Sequence, residues 1–405
     1  MIKPRYRART EWDGIELFCR KDGRAFKLDA GKSLDNYDCD ALINTCYVKS
    51  SNFSSAPKRV YWELTRHCNL FCANCYNRYA TSDFKGEMDL EQCKQLGNTL
   101  YENGVWIIQL TGGEPTTVPH VWDLAGYLKD LGFYLSMGTN GIWTNETLEK
   151  ALASSIDWFI VSIDDEHIAQ SQAILKRGML TASETAGILA KDGRRVRINT
   201  LIQKGNYTYN QLKPLAEKCS TLNAESLNCI PLRPFTQDPI AVEKQLTKDE
   251  FKEFILGLEI LRSEYHELNF VTALDLNPTD SHDRVYMKDK SCAAGREGCV
   301  ISPYGDIYGC SYSLASTLDT DDPRRAPFVA GNIFERPVMD IWNDSDCWAV
   351  YRDLSKYKHD KCKKCTYYEE KRCIGNCPIM VKDAPGAFDP YCYVDADYIL
   401  NIGEV

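Results

Sequence analysis

Lys58-Arg59-Val60-Tyr61-Trp62-Glu63-Leu64-Thr65-Arg66-His67-Cys68-Asn69-Leu70-Phe71-Cys72-Ala73-Asn74-Cys75-Tyr76 opens with a strand-like run and ends in a loop bearing C-x3-C-x2-C. It is the first unit of an alternation. Strands are expected over 60–64, 105–110, 133–137, 158–163, 196–202 and 226–230, with helices near 88–102, 119–131, 145–154, 171–191 and 208–219. Strands and helices in strict alternation imply parallel strands joined by right-handed crossovers, an α/β fold. A partial (β/α)6 barrel and an open doubly wound sheet both satisfy the pattern. A further helix is expected over 247–264, capped by Thr247 with Glu250 three positions on.

The loop carries the chemistry. Thiolates suit iron–sulfur clusters. Three thiolates on a four-iron cube leave one iron without a protein ligand, and that iron can chelate a small molecule. A structural zinc site wants four ligands, and His67, adjacent to Cys68, is poorly placed as the fourth. A loop leaving the C-terminal end of a barrel strand is also where active sites sit.

The motif, with the aromatic Tyr76 after Cys75, resembles that of the radical S-adenosylmethionine superfamily. The resemblance implies a partial TIM-like barrel. It also implies an open iron that binds S-adenosylmethionine, whose reductive cleavage yields a 5′-deoxyadenosyl radical that abstracts hydrogen from the substrate. Later segments agree in order. Thr111-Gly112-Gly113-Glu114-Pro115 looks like the family's GGEP motif. Its glycines allow close backbone approach to a ligand, and Glu114 suits the cofactor's ammonium group. Gly138-Thr139-Asn140-Gly141 follows the third strand. Ser162-Ile163-Asp164-Asp165 is similar to S-I-D-G, with Asp165 where glycine is usual, and Ser162 and Asp164 suit ribose hydroxyls. Asn140, Asn199 and Arg233 resemble further cofactor contacts. The resemblance spans roughly 58–235.

Cysteine is the compositional outlier, at 18 residues. Beyond about 290, periodicity fades and cysteines crowd in, so that region needs metal staples. Cys292, Cys299 and Cys310, then Cys362, Cys365, Cys373 and Cys377, then Cys392 look like a SPASM extension. The gap between Cys365 and Cys373 is two residues longer than the family's. By resemblance, Cys292, Cys299, Cys310 and Cys377 hold a nearer auxiliary cluster, and Cys362, Cys365, Cys373 and Cys392 an outer one. With Cys68, Cys72 and Cys75 this makes three 4Fe-4S clusters. Zinc ribbons are the rival reading, since C-x2-C with C-x3-C is also zinc-like. Cys19, Cys39, Cys46, Cys93, Cys219, Cys229 and Cys347 are left as small buried side chains.

The expected organisation is an N-terminal hairpin appendage (1–57), a radical core (58–240), a bridging helix and linker (241–290) and a SPASM domain (291–405). Residues 6–14 and the hairpin over 15–28 resemble the start of a peptide-recognition module of ribosomal-peptide maturases, and a hairpin merely capping the barrel is the competing reading. The leading expectation is oxidative cross-linking or modification of a ribosomal precursor peptide. Alternatives are a small-molecule dehydrogenase or sulfatase-type maturase on the same core, tetrapyrrole precursors being among the family's small substrates, and, remotely, a zinc-stapled binding protein. A ferredoxin or flavodoxin is the expected reductant. No catalytic acid or base is singled out: Asp275 and Asp280 are candidates by location only, and Tyr308 and Tyr312 read as packing. A net charge of −9 argues against nucleic acid. No apolar run reaches the roughly 18 residues of a membrane span, and the basic start lacks the apolar core of a secretory signal. A cytoplasmic setting is expected.

Overall fold

In a computed structural model of the chain, the described residues are 3–29, 31–45, 52–72, 75, 86–164, 179–233, 239–272, 292–313, 315, 318, 321–353, 359–369, 373, 377–381 and 389–392. Tyr76, Asp165, Asp275, Asp280 and Cys46 lie outside them.

The strands in chain order are β1 (Tyr6–Glu11), β2 (Gly14–Cys19), β3 (Ala25–Lys27), β4 (Arg59–Glu63), β5 (Ile107–Thr111), β6 (Tyr134–Thr139), β7 (Trp143–Thr144), β8 (Trp158–Ser162), β9 (Met179–Leu180), β10 (Arg195–Ile202), β11 (Ser226–Pro231), β12 (Asn269–Thr272), β13 (Gly298–Ile301), β14 (Asp306–Tyr308) and β15 (Val329–Asn332). Ten of them form one sheet in the order β12-β11-β10-β8-β6-β5-β4-β13-β14-β15. From β12 to β13 every neighbouring pair is parallel. This is the α/β partial-barrel architecture, with all six expected parallel strands present. Two parallel strands were not foreseen, β12 beside β11 and β13 beside β4. The change of texture near residue 290 therefore does not interrupt the sheet.

Alternation along each strand sets what faces where. On β4, Val60 and Trp62 join the large core under the helices, while Tyr61 packs with Val300 and Tyr308. The helices start and stop where local chemistry dictates. Asp89 and Gln92 form a capping box on Leu90–Glu102, and Gly132, with φ of 106°, ends Val121–Leu131 in the left-handed conformation. The Thr247–Glu250 box forms on Lys248–Glu264 as its spacing predicts. Of the expected 171–191 helix, Ala182–Lys191 is helical and Met179–Leu180 is a short strand paired with β7.

The N-terminal hairpin gains a third strand, because β1 pairs with β2 throughout. This sheet seals the end of the barrel where the strands begin. Phe18 stacks on Trp106 at 5.2 Å, in a cluster with Ile107, Tyr134, Trp158 and Ile160. Arg7, fully buried, donates to the carbonyls of Tyr101 and Val105 at 2.7 Å. Arg9 donates to Gly104 O at 2.9 Å and pairs with Glu11 at 2.7 Å. Tyr101 sits in the last turn of Leu90–Glu102, whose carbonyls favour a cation. Lys58, also buried, bridges Glu16 at 2.9 Å and Glu297 at 3.2 Å, joining the N-terminal sheet to the cysteine-rich region. The described part of the N-terminal sheet is thus fastened to the barrel by buried charged groups.

Candidate cysteine-rich functional site

The loop after β4 rests on the loop after β5. Gly113 N donates to Thr65 O at 2.7 Å, and Glu114 N to His67 O at 2.8 Å. A Cβ on Gly112 would stand 2.3 Å from Thr65 O, and one on Gly113 2.0 Å from His67 O. The close approach that requires glycine here is to the protein's own backbone, under the first cysteine.

Glu114 is fully buried. One carboxylate oxygen accepts from Thr116 N at 3.2 Å, Thr116 Oγ1 at 2.7 Å and Thr139 Oγ1 at 2.8 Å, and the other from Asn140 N at 2.7 Å. Burial raises its carboxyl above the ordinary range, against these donors. The carboxylate expected to suit an ammonium also holds the turn after β6. That turn reaches the cysteines: Asn140 Nδ2 lies 2.6 Å from Asn69 Oδ1 and 3.7 Å from Cys68 Sγ, and Leu70 N donates to the same sulfur at 3.4 Å. Burial pushes the Cys68 thiol up to about 12, with Glu114 and Cys75 adding to the rise. A thiolate there calls for a cationic partner, which iron supplies. Cys75 N donates to Cys72 O at 3.2 Å. Three thiols on one short loop, two of them electrostatically coupled, fit a cluster with one open corner.

Ser162, at the end of β8, is level with Asn199 on β10. Asn199 Oδ1 accepts from Asn228 Nδ2 at 3.0 Å, and Asp164 follows as a half-buried residue. These polar groups stand at or near the strand ends carrying the cysteine loop. Arg233 reaches the C-terminal segment. Its guanidinium pairs with Asp389 at 3.2 Å and lies over the Tyr391 ring at 4.8 Å, anchoring the segment that carries Cys392.

Among the C-terminal cysteines, Cys292, Cys310 and Cys377 perturb one another. Desolvation pushes Cys310 up, and Cys292, Cys377 and Glu63 add to it. Cys377 likewise acts on Cys292 and on Arg233. Cys299, buried on β13, is pushed up to about 12 by burial and eased by Arg352, which also feels Cys347. Cys362 and Cys373 both act on Tyr368. Among the described residues no three Cys, His, Asp or Glu side chains converge tightly enough for a single metal ion. Of the leftover cysteines, Cys19, Cys93, Cys219 and Cys229 are buried, and Cys39 and Cys347 half-buried. Tyr308 does pack, and its hydroxyl also donates to buried Glu63. Asn69 and Asp389 were not foreseen. Asn69 sits inside the motif as an ordinary spacer, and Asp389 is 156 positions from the arginine it meets.

Residues 62–177 match the radical SAM superfamily, and residues 292–366 match SPASM, an iron-sulfur cluster-binding domain. Among curated proteins, the AdoMet-dependent heme synthase of Methanosarcina barkeri is 28% identical over 84% of this chain and 97% of its own length. The mycofactocin maturase MftC of Mycobacterium tuberculosis is 26% identical over 80% of this chain and 78% of its own. Among solved structures, Streptococcus suis SuiB bound to the precursor peptide SuiA superposes with a TM-score of 0.70 at 17% identity, covering 98% of this chain and 99% of that one. No helix among the described residues is long and apolar enough to cross a membrane.

Proposed function

The chain is a radical S-adenosylmethionine enzyme with a C-terminal SPASM domain, and from that premise we propose that it oxidatively modifies a ribosomally made precursor peptide. The observation that carries the reading is the near-complete correspondence with SuiB, which spans the N-terminal sheet and the cysteine-rich C-terminus as well as the barrel. The relation to MftC supports it.

In this reading Cys68, Cys72 and Cys75 hold the cluster with the open iron. Cys292, Cys299, Cys310 and Cys377 hold the nearer auxiliary cluster, and Cys362, Cys365, Cys373 and Cys392 the outer one. When bound, the first cluster and S-adenosylmethionine together supply a carbon radical that takes hydrogen from the substrate. The chain's own work is placement. Gly112 and Gly113 let the cysteine loop settle on the loop after β5. Glu114 fixes the turn that brings Asn140 to Cys68. Ser162, Asp164 and Asn199 offer polar partners for the cofactor's ribose, and Tyr76 flanks the third cysteine. Phe18 and Trp106 close the opposite end, so the substrate enters from the side of the cysteine loop. An electron donor of ferredoxin or flavodoxin type completes the cycle.

The N-terminal sheet leaves one edge for peptide recognition. Its charged face is used up against the barrel, and β1 is bridged on its other edge by residues near Cys39 and Ile43. The short outer strand β3, with Phe26 exposed, is the edge that suits an added peptide strand.

A second reading, oxidation of a tetrapyrrole precursor, is favoured by the heme synthase relative, almost all of which this chain covers. Anaerobically reconstituted, reduced enzyme is incubated with S-adenosylmethionine and either a precursor peptide encoded beside its gene or a tetrapyrrole carboxylate, and the products are weighed by mass spectrometry. Loss of a hydrogen pair from the peptide supports the first reading. Peptide left unchanged while the tetrapyrrole is oxidised refutes it in favour of the second.

A further inference from the structure

Two buried polar atoms on consecutive residues have no hydrogen-bond partner among the described residues: Tyr351 Oη and Arg352 Nη2. Both belong to the short helix Ala349–Arg352, packed against the C-terminal cysteines. A buried donor left unmatched costs about 1–3 kcal/mol, and of the fifteen such side-chain atoms among the described residues these are the only two on consecutive residues.

The surroundings show what they face. Tyr351 is 1% exposed. Its ring is held between two backbones: a Cβ on Gly309 would come within 2.4 Å of it, and one on Gly295 within 2.8 Å. Gly309 immediately precedes Cys310, and Gly295 lies between Cys292 and Cys299. A phenol O–H is a hydrogen-bond donor. Arg352 is enclosed by aromatic rings, 3.6 Å from the centroid of Phe53, 4.5 Å from Trp342 and 5.1 Å from Trp348. Its Nε donates to Gly295 O at 2.8 Å, and no carboxylate among the described residues pairs with it. A cation without a carboxylate and a phenol without an acceptor, among the described residues, thus stand against the backbone of the segments that carry Cys292, Cys299 and Cys310.

We propose that Tyr351 Oη and Arg352 Nη2 donate hydrogen bonds to the sulfurs of the auxiliary cluster held by Cys292, Cys299, Cys310 and Cys377, and thereby raise its reduction potential. The assignment rests on the reading that these cysteines hold a cluster. Donors and positive charge near cluster sulfur stabilise the electron-richer state. Both residues act through the cluster and not on substrate, so they are positioning and tuning groups.

The test uses the full chain with Cys68, Cys72 and Cys75 all replaced by Ala, which leaves only the auxiliary clusters, about eight irons from two cubes. Redox titration followed by electron paramagnetic resonance gives two potentials. Tyr351→Phe removes one hydroxyl and keeps the ring. It should lower one of the two potentials at unchanged iron content, by up to about tenfold in the reduction equilibrium, or 59 mV for one electron. Arg352→Gln should lower the same potential, and Arg352→Lys should restore part of the loss. Unchanged potentials in Tyr351→Phe and Arg352→Gln at full iron content overturn the proposal, as does an equal shift of both clusters. Loss of iron from Tyr351→Phe also overturns it, because the hydroxyl would then be structural. A parent that takes up zinc and no iron refutes the cluster reading itself.

Discussion

Glu114 N donates to His67 O at 2.8 Å, which ties the loop after β5 to the residue just before the first cysteine. Glu114's carboxylate also holds Asn140, whose amide nitrogen reaches Cys68 Sγ. The chain around Cys68 is therefore tied to the ends of two nearby strands.

A methyl group at Gly113 has no room, since it would stand 2.0 Å from the carbonyl oxygen of His67. Gly113→Ala should displace the cysteine loop and leave the distant C-terminal thiols in place. Iron analysis after reconstitution should show a loss of about four irons per chain out of about twelve. Retention of the full complement would contradict this.

Glu114→Gln keeps the volume but turns an amide N–H₂ toward groups that already donate. With up to four hydrogen bonds disturbed at a fully buried side chain, stability should fall by about 1–3 kcal/mol. Thermal unfolding checks the loss. Yield of 5′-deoxyadenosine should fall as well, because Asn140 loses its anchor.

The Arg233–Asp389 pair is buried on both sides. Arg233→Gln leaves an uncompensated carboxylate, a change that costs about 3–5 kcal/mol in buried pairs. Because Asp389 O accepts from Cys392 N at 3.0 Å, the variant should also loosen the last cysteine. Iron content should drop, and Arg233→Gln combined with Asp389→Asn should recover part of the stability.

Phe18 tests the other end. Phe18→Ala removes the ring stacked on Trp106 and should destabilise the chain by about 3–5 kcal/mol. Iron loading at the far end of the barrel should remain full. A chemical unfolding curve together with iron analysis distinguishes this from a variant that disrupts the site.

The parallel core was legible because its strands alternate cleanly with capped helices, as Thr247 and Glu250 illustrate. β1 was not, because Arg7, Arg9 and Glu11 give the segment no apolar face, and they are buried against helix-end carbonyls and one another. Gly298-Cys299-Val300-Ile301 was also hidden: four residues amid cysteines and glycines give no periodicity, and the partner strand β4 lies far upstream. At the site, cysteine spacing was readable because ligand geometry constrains it locally. The hydrogen bonds of Glu114 and the ion pair of Arg233 depend on partners brought by folding, which residue type and spacing do not name.

Anaerobic reconstitution, chemical reduction and addition of S-adenosylmethionine, with 5′-deoxyadenosine measured by chromatography, tests the central claim most directly. The unaltered chain should produce 5′-deoxyadenosine, and Cys72→Ala should produce none while keeping its auxiliary iron. An iron-loaded chain that makes no 5′-deoxyadenosine, or a Cys72→Ala variant that makes as much as its parent, would contradict the account.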